Sequence, residues 1–552
     1  MNKNVTLLLT IFIIISSLKI AISRFISVPT MFSDEYFYFK MAHDLFFEHA
    51  ITSSSYPPMY SLIISPAFLS GNGYSAYFFA KVINSFLSTA IIFPSFLIVR
   101  EFLSSKKAVL ISLLIAFIPS HFVSSFYILS ENLFYLLFLT SFYCIYKTIQ
   151  KKTFAWSFGA GLLISLTILT KFSGIALIIV LFFAFFYALV KKETDTAKLI
   201  LVPCIMAISS LGLWLLRNFS LNGFGLPSAL GVYAAEITHP HFSLASFLIW
   251  LVLYAGIIIL SLFFIPFFYN IKSIDFAMKS KNKNLLLFNV LLILITIITI
   301  IIASNHSAGS VIKSQTSLPW LTGRAIGRYV CCLLPLFIIN GFIGFKNNKT
   351  KIESKLILAA LIIVTLISSQ LVFFQLLPIN NSDLSWLGAA FLALNKLTSN
   401  IAAISIIFAA ALMCMFYFSF KISDKINFSK FFAGMLCLFL FTNVLAIGVT
   451  YYRSEKIWQP LEQTQLGLWL SENSDSDSVL LIDKRDCNEY DLRNIRTLCS
   501  KNNGANLIGF WFNGKILIGD NIKDADFIVS EHDFNLSILK ETANEIRIYD
   551  AK

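Results

Sequence analysis

Runs of about 17–25 apolar residues recur along the 552-residue chain, each long enough to cross a bilayer's hydrocarbon core as a helix. They fall near 5–23, 77–99, 108–126, 130–146, 154–170, 172–190, 197–216, 246–269, 285–303, 326–344, 355–376, 398–419 and 430–450, thirteen in all. In lipid such a run has to satisfy its own backbone hydrogen bonds, and a helix does so within one segment. Composition agrees: 57% of residues are hydrophobic and only 13% charged, whereas soluble domains carry roughly 25% charged residues. A soluble enzyme or transcription factor is excluded. The first run has no small-residue cleavage pattern after it and reads as a retained helix. The stretch 57–70 is short enough for a re-entrant piece.

The net charge of +13 is no nucleic-acid footprint, because the basic residues sit in short connectors between apolar runs. With the N-terminus cytoplasmic, one set of connectors holds 20 Lys and Arg and the opposite set only 7, although the latter are longer. This alternation orients the chain in the plasma membrane with its C-terminus outside. The outer connectors then run about 24–76, 217–245, 304–325 and 377–397. Residues 451–552 carry 12 of the 43 basic and 17 of the 30 acidic residues, so the chain divides into a membrane part, 1–450, and an extracytoplasmic tail. The tail reads as a small α/β domain. A helix is expected over 459–470, with strands over 479–482, 506–509 with 514–518, 526–529 and 546–549. Cys487 and Cys499 are close enough in sequence for a disulfide to be one possibility. No internal repeat is visible, which argues against alternating access.

Chemistry concentrates after the first helix, in FSDEYFYFKMAHDLF. Adjacent on a helix, Asp34 and Glu35 point about 100° apart. A division of labour follows, one meeting substrate and the other holding a loop or partner. Helical spacing of Phe37, Met41 and Leu45, with Tyr38, Ala42 and His43, predicts an interfacial helix on the membrane surface. Helix capping is the competing role for Asp34. Glu131, in LSENLFYLLF, is a second carboxylate between apolar segments and needs a partner there.

The DE pair, YPP downstream, SENLFYLLF, WLLRNFSLNGFGLP and GRAIGRYVCCLLPLF, in that order, resemble the integral-membrane GT-C glycosyltransferases. Within them the likeness is to protein O-mannosyltransferases and aminoarabinose transferases, over about residues 1–450. The resemblance implies a GT-C fold and transfer of a monosaccharide from a polyprenyl or dolichyl phosphate to a lipid, protein or glycan acceptor. Transfer would occur on the non-cytoplasmic face, generally with inversion. It implies an acidic catalytic role for Asp34, with Glu35 its neighbour, and for Glu131. It assigns lipid phosphate to Arg217 and carries an RY element onto Arg328 and Tyr329. A lipid-linked glycan transporter or flippase, and a lipid-diphosphate-dependent polymerase, are the alternatives.

Breaking a sugar–phosphate bond leaves negative charge on the departing phosphate, which guanidinium groups stabilise with directed donors. Arg324, four residues before Arg328, and Lys313 are further donors, or head-group contacts. Tyr56 and Tyr60 flank Pro57 and Pro58, where a tyrosine can stack on sugar or anchor at the interface. His239 and His241 with Glu236 are the candidates for a divalent ion, at a spacing too common to establish one. No phosphate-cradling GxxxxGK loop and no HExxH helix occurs, so activation would reside in the lipid-linked sugar.

Overall fold

Proline shapes the first half of the membrane part. α1 (Lys3–Ser23), α2 (Phe32–Phe47), the short α3 (Met59–Ile64), α4 (Gly73–Thr89) and α5 (Ile92–Arg100) are followed by α6 (Ser105–Ala116) and α7 (Pro119–Val123). Pro119 excludes Ile118 from the helical region, and the pair 105–116 and 119–126 bends there by 62°. α8 (Glu131–Lys151), α9 (Phe154–Thr170), α10 (Ile175–Val190) and α11 (Thr194–Asn222) complete this half. The computed structural model describes residues 3–551 apart from 31, 52–55, 224, 226–229, 231–242, 310–320, 322, 347–354, 373–379, 423–425, 476, 484, 486–503, 520–521, 523–524 and 544.

A helix occupies each of the thirteen apolar runs. Among the described residues eight helices are long and apolar enough to cross a membrane, or nine with the bent pair as one span. The runs at 154–170, 326–344, 355–376 and 398–419 form shorter apolar helices, as does 59–70, the piece read as re-entrant.

In the tail, helix Glu462–Asn473 precedes a five-stranded sheet of order β2-β1-β3-β5-β4. Its strands are β1 (Val479–Asp483), β2 (Lys515–Gly519), β3 (Phe527–Ser530), β4 (Ile538–Glu541) and β5 (Arg547–Asp550). β1 pairs parallel with β2 and β3, and β5 antiparallel with β3 and β4. The strand expected at 506–509 is instead part of helix Gly504–Trp511. Leu507, Ile508, Phe510 and Trp511 are buried at helical spacing, a pattern that four residues alone did not separate from a strand. β4 escaped sequence reading because its four residues are all exposed, at the sheet edge.

The tail rests on the segment between α1 and α4. Phe510 stacks on Phe39 of α2 at 4.6 Å, and Asn513 Nδ2 donates to the Gly71 carbonyl at 3.1 Å. Tyr38, Phe39, Met41 and Ala42 are buried, and Tyr38 reaches Ser130 at the head of α8. α2 is therefore clasped between the membrane helices and the tail. Gly73 permits the approach: a Cβ there would stand 2.3 Å from the Trp511 carbonyl oxygen. Gly73→Ala should cost about 1–3 kcal/mol by overpacking and release the tail to limited proteolysis. Unchanged melting and unchanged cleavage would contradict this docking.

Candidate functional site

Four charged side chains from four separate connections meet at one end of the membrane part. Asp34 stands in the first turn of α2 and Glu131 is the first residue of α8. Lys171 is the extended residue (φ −156°, ψ 130°) between α9 and α10, and Arg328 lies in the 3-10 turn Gly327–Tyr329. Arg328 Nη2 donates to Asp34 Oδ2, and its Nη1 lies 3.5 Å from Glu131 Oε1. Lys171 Nζ donates to the same Glu131 oxygen at 2.5 Å and sits 4.7 Å over the Tyr329 ring. Tyr56 Oη donates to Asp34 Oδ1 at 3.0 Å. Asp34 thus spends its carboxylate on Arg328 and Tyr56, an arrangement distinct from helix capping.

The turn that presents Arg328 is pinned from several sides. Its amide donates to the Asn380 carbonyl at 3.1 Å, the Gly327 amide to Asn381 Oδ1 at 3.1 Å, and Tyr135 Oη to the Arg328 carbonyl at 3.0 Å. A Cβ on Gly327 would stand 2.6 Å from Asn381 Oδ1, so glycine is what lets the two segments close. These contacts hold the guanidinium against both carboxylates.

Formal charge in the cluster is balanced, two carboxylates against two cations. Side-chain exposure is 2% for Glu131, 6% for Lys171, 11% for Arg328 and 18% for Asp34, so Asp34 is the member open to an approaching molecule. Ions this buried are tolerable only because each has an opposite charge in contact. Burial pushes the Asp34 carboxyl up, but Arg328, together with Lys171 and the Tyr56 hydroxyl, outweighs it and holds Asp34 below the usual carboxylate range.

Beside the cluster lies a small cavity of about 10 Å³, lined by Glu131, Arg328, Tyr135, Ser120, Asn380 and Ser382 among others. Arg328 Nε and Asn380 Oδ1 are buried without hydrogen-bond partners among the described residues. Directional donor and acceptor capacity is therefore left at the cavity wall. Asp383 borders the same region, accepting from the Ser120 amide at 3.0 Å and the Cys331 thiol at 3.2 Å, and burial raises its carboxyl above the usual range.

Other expected residues are placed elsewhere. Glu35 is fully buried; its two oxygens accept from the Thr30 and Ile128 amides at 3.0 Å each, so it fastens the loop before α2 to the segment before α8. Tyr60 is buried and donates to Asn84 at 3.0 Å. Arg217 lies outside the cluster, donating to the Ile51 carbonyl and to Asn218 and resting 4.8 Å over Trp214. Arg324 is exposed, while Tyr329 joins the cluster through Lys171. Lys313, Glu236, His239, His241, Cys487 and Cys499 lie outside the described residues.

Lys171, between the apolar runs 154–170 and 172–190, has no site role at the sequence level. The signal was present: a lone cation between two apolar runs requires a partner within reach. Nothing in the linear sequence names Glu131, forty residues away, as that partner.

A family model described as dolichyl-phosphate-mannose-protein mannosyltransferase matches residues 55–214. Among solved structures, ArnT from Cupriavidus metallidurans in the apo state is 11% identical with a TM-score of 0.55, covering 99% of this chain and 98% of that one. The same protein bound to undecaprenyl phosphate matches at 11% identity and a TM-score of 0.57, with the same coverage. Archaeal oligosaccharyltransferase AglB from Archaeoglobus fulgidus, in complex with an inhibitory peptide and a dolichol-phosphate, is 12% identical at a TM-score of 0.43, over 95% of this chain and 69% of that one. No curated protein matches at the sequence level. The ArnT likeness extends over the whole chain, tail included, and shows a shared membrane fold; the expected resemblance appears in that fold and in the mannosyltransferase model over 55–214.

Proposed function

We propose that the chain transfers a sugar from a polyprenyl-phosphate carrier to an acceptor at the non-cytoplasmic face of the plasma membrane. One observation carries this reading: Asp34, the most exposed member of a buried charge cluster, shares that cluster with two cations, Arg328 and Lys171. The family-model match and the ArnT fold, one example of which holds undecaprenyl phosphate, support the same reading.

The chemistry follows from the side chains. The departing lipid phosphate gains charge as its bond to the anomeric carbon breaks, and Arg328 and Lys171 supply fixed positive charge for it. Glu131 keeps Lys171 and Arg328 in register. Asp34, held by Tyr56 and ionised at neutral pH, then faces the acceptor or the positive charge developing on the sugar. Its low proton affinity suits electrostatic support and orientation, with an alcohol's proton lost late in the reaction. Displacement of phosphate by an acceptor on the opposite sugar face inverts the anomeric centre. Arg217 ties the loop after α2 to α11, and the phosphate role assigned to it at the sequence level passes in this reading to Arg328 and Lys171.

Reconstitution with radiolabelled sugars on polyprenyl monophosphate, set against the same sugars on diphosphate, tests the proposal. Label should move from at least one monophosphate donor. Movement of the intact lipid-linked sugar without bond cleavage would replace enzyme with flippase, and use of diphosphate donors alone would favour the polymerase. The acid limb of the rate profile should lie below pH ~4, because Asp34 titrates beneath the ordinary carboxylate value. An acid limb near pH ~6 would assign the essential ionisation to another group.

A further inference from the structure

We propose that a second cavity, between the end of α1 and the start of α4, binds the phosphate of an anionic membrane lipid in the leaflet on the Asp34 side. The cavity is open, about 210 Å³, and lined by Ser23, Arg24, Ser27, Tyr74, Phe78 and Lys81 among others. It is separate from the small cavity beside Arg328, with no lining residue in common.

Its charge is one-sided. Lys81 is 2% exposed; its Nζ donates to the Ser23 and Ile26 carbonyls at 3.0 and 2.5 Å and lies 4.2 Å from the centre of the Tyr77 ring. With two carbonyls and the Tyr77 ring around this nitrogen, Arg24 is the cation most open to a ligand. Arg24 is exposed, 5.8 Å from the centre of the Phe78 ring. Among the described residues neither cation makes an ion pair, although a buried ammonium ordinarily has one. The two nearby carboxylates do not line the cavity. Glu35 accepts from the Thr30 and Ile128 amides, and Glu455 from the amide and hydroxyl of Ser27 at 2.9 and 2.7 Å. An anion with several acceptor oxygens supplies what both cations lack.

The rim decides between a lipid and a dissolved anion. Phe25, next to Arg24 in the chain, is 67% exposed, and Tyr74 and Phe79 are exposed as well. Such a border is costly in water and ordinary at the boundary of head groups and acyl chains. A lipid phosphate seated there would bear on the loop between α1 and α2, because Ser27 lines the cavity and Tyr77 Oη donates to Glu35 at 3.5 Å.

Photoreactive phosphatidylglycerol, incorporated with the full-length protein in phosphatidylcholine nanodiscs, tests the site by mapping adducts to residues 73–81. Arg24→Gln should lower capture about fivefold, the factor for one basic residue at a lipid surface, with an unchanged melting temperature because Arg24 is exposed. Arg100→Gln, at the far end of α5, should leave it unaltered. Excess unlabelled phosphatidylglycerol should compete. Equal capture of a phosphatidylcholine probe, indifference to Arg24→Gln, or competition by inorganic phosphate would each overturn the proposal, the last by marking a soluble-anion site.

Discussion

Asp34→Asn is expected to abolish most sugar transfer, by at least about 100-fold, the usual contribution of a positioned acid–base or charge-bearing group. The protein should stay folded. The amide is nearly isosteric, Arg328 retains Glu131 at 3.5 Å, and Asp34 is the least buried of the four. The loss should fall on kcat, because the missing negative charge matters most as positive charge develops on the sugar. Transfer assays on reconstituted wild type and variant, matched for melting temperature, decide it. A variant that turns over at the wild-type rate would leave Asp34 a structural partner of Arg328 and Tyr56.

The second large effect concerns stability. Lys171→Met removes the closest cation from Glu131, whose side chain is 2% exposed, while keeping most of the apolar stem. Stranding one partner of a buried pair costs about 3–5 kcal/mol, and Arg328 at 3.5 Å compensates only in part. Adding Glu131→Gln to Lys171→Met should recover much of the loss, since the stranded charge is then gone. Were Lys171 a solvated connector residue, removing it would cost less than about 1 kcal/mol. Denaturation of the single and double variants in one detergent separates these outcomes.

The readable features were those carried by local pattern. Hydrocarbon thickness sets the length of a spanning helix, and every run found by that length is helical, eight or nine of them long enough to cross among the described residues. Asp34 and Glu131 stood out because carboxylates beside apolar segments are expensive; of the division of labour expected of the DE pair the loop-holding half is seen, with Glu35 on backbone amides, while Asp34 meets Arg328. The phosphate role expected of Arg217 came from the family resemblance and not from a local pattern. The Arg217 contacts lead to Ile51 and Asn218, away from the cluster, and no local rule distinguishes those two destinations.

Hydrophobic run length, turn chemistry and charge asymmetry are short-range quantities, and on their own they determined a polytopic helical chain with an α/β tail and acidic candidates near the first outer loop. Which cation meets which carboxylate is a matter of helix packing. Asp34 and Arg328 are 294 residues apart and touch only because the bundle closes around them. The tertiary structure alone brought Lys171 to Glu131, set Arg217 aside and clasped α2 beneath the tail. Coulomb energy and desolvation depend on distance in space, which a linear sequence does not state.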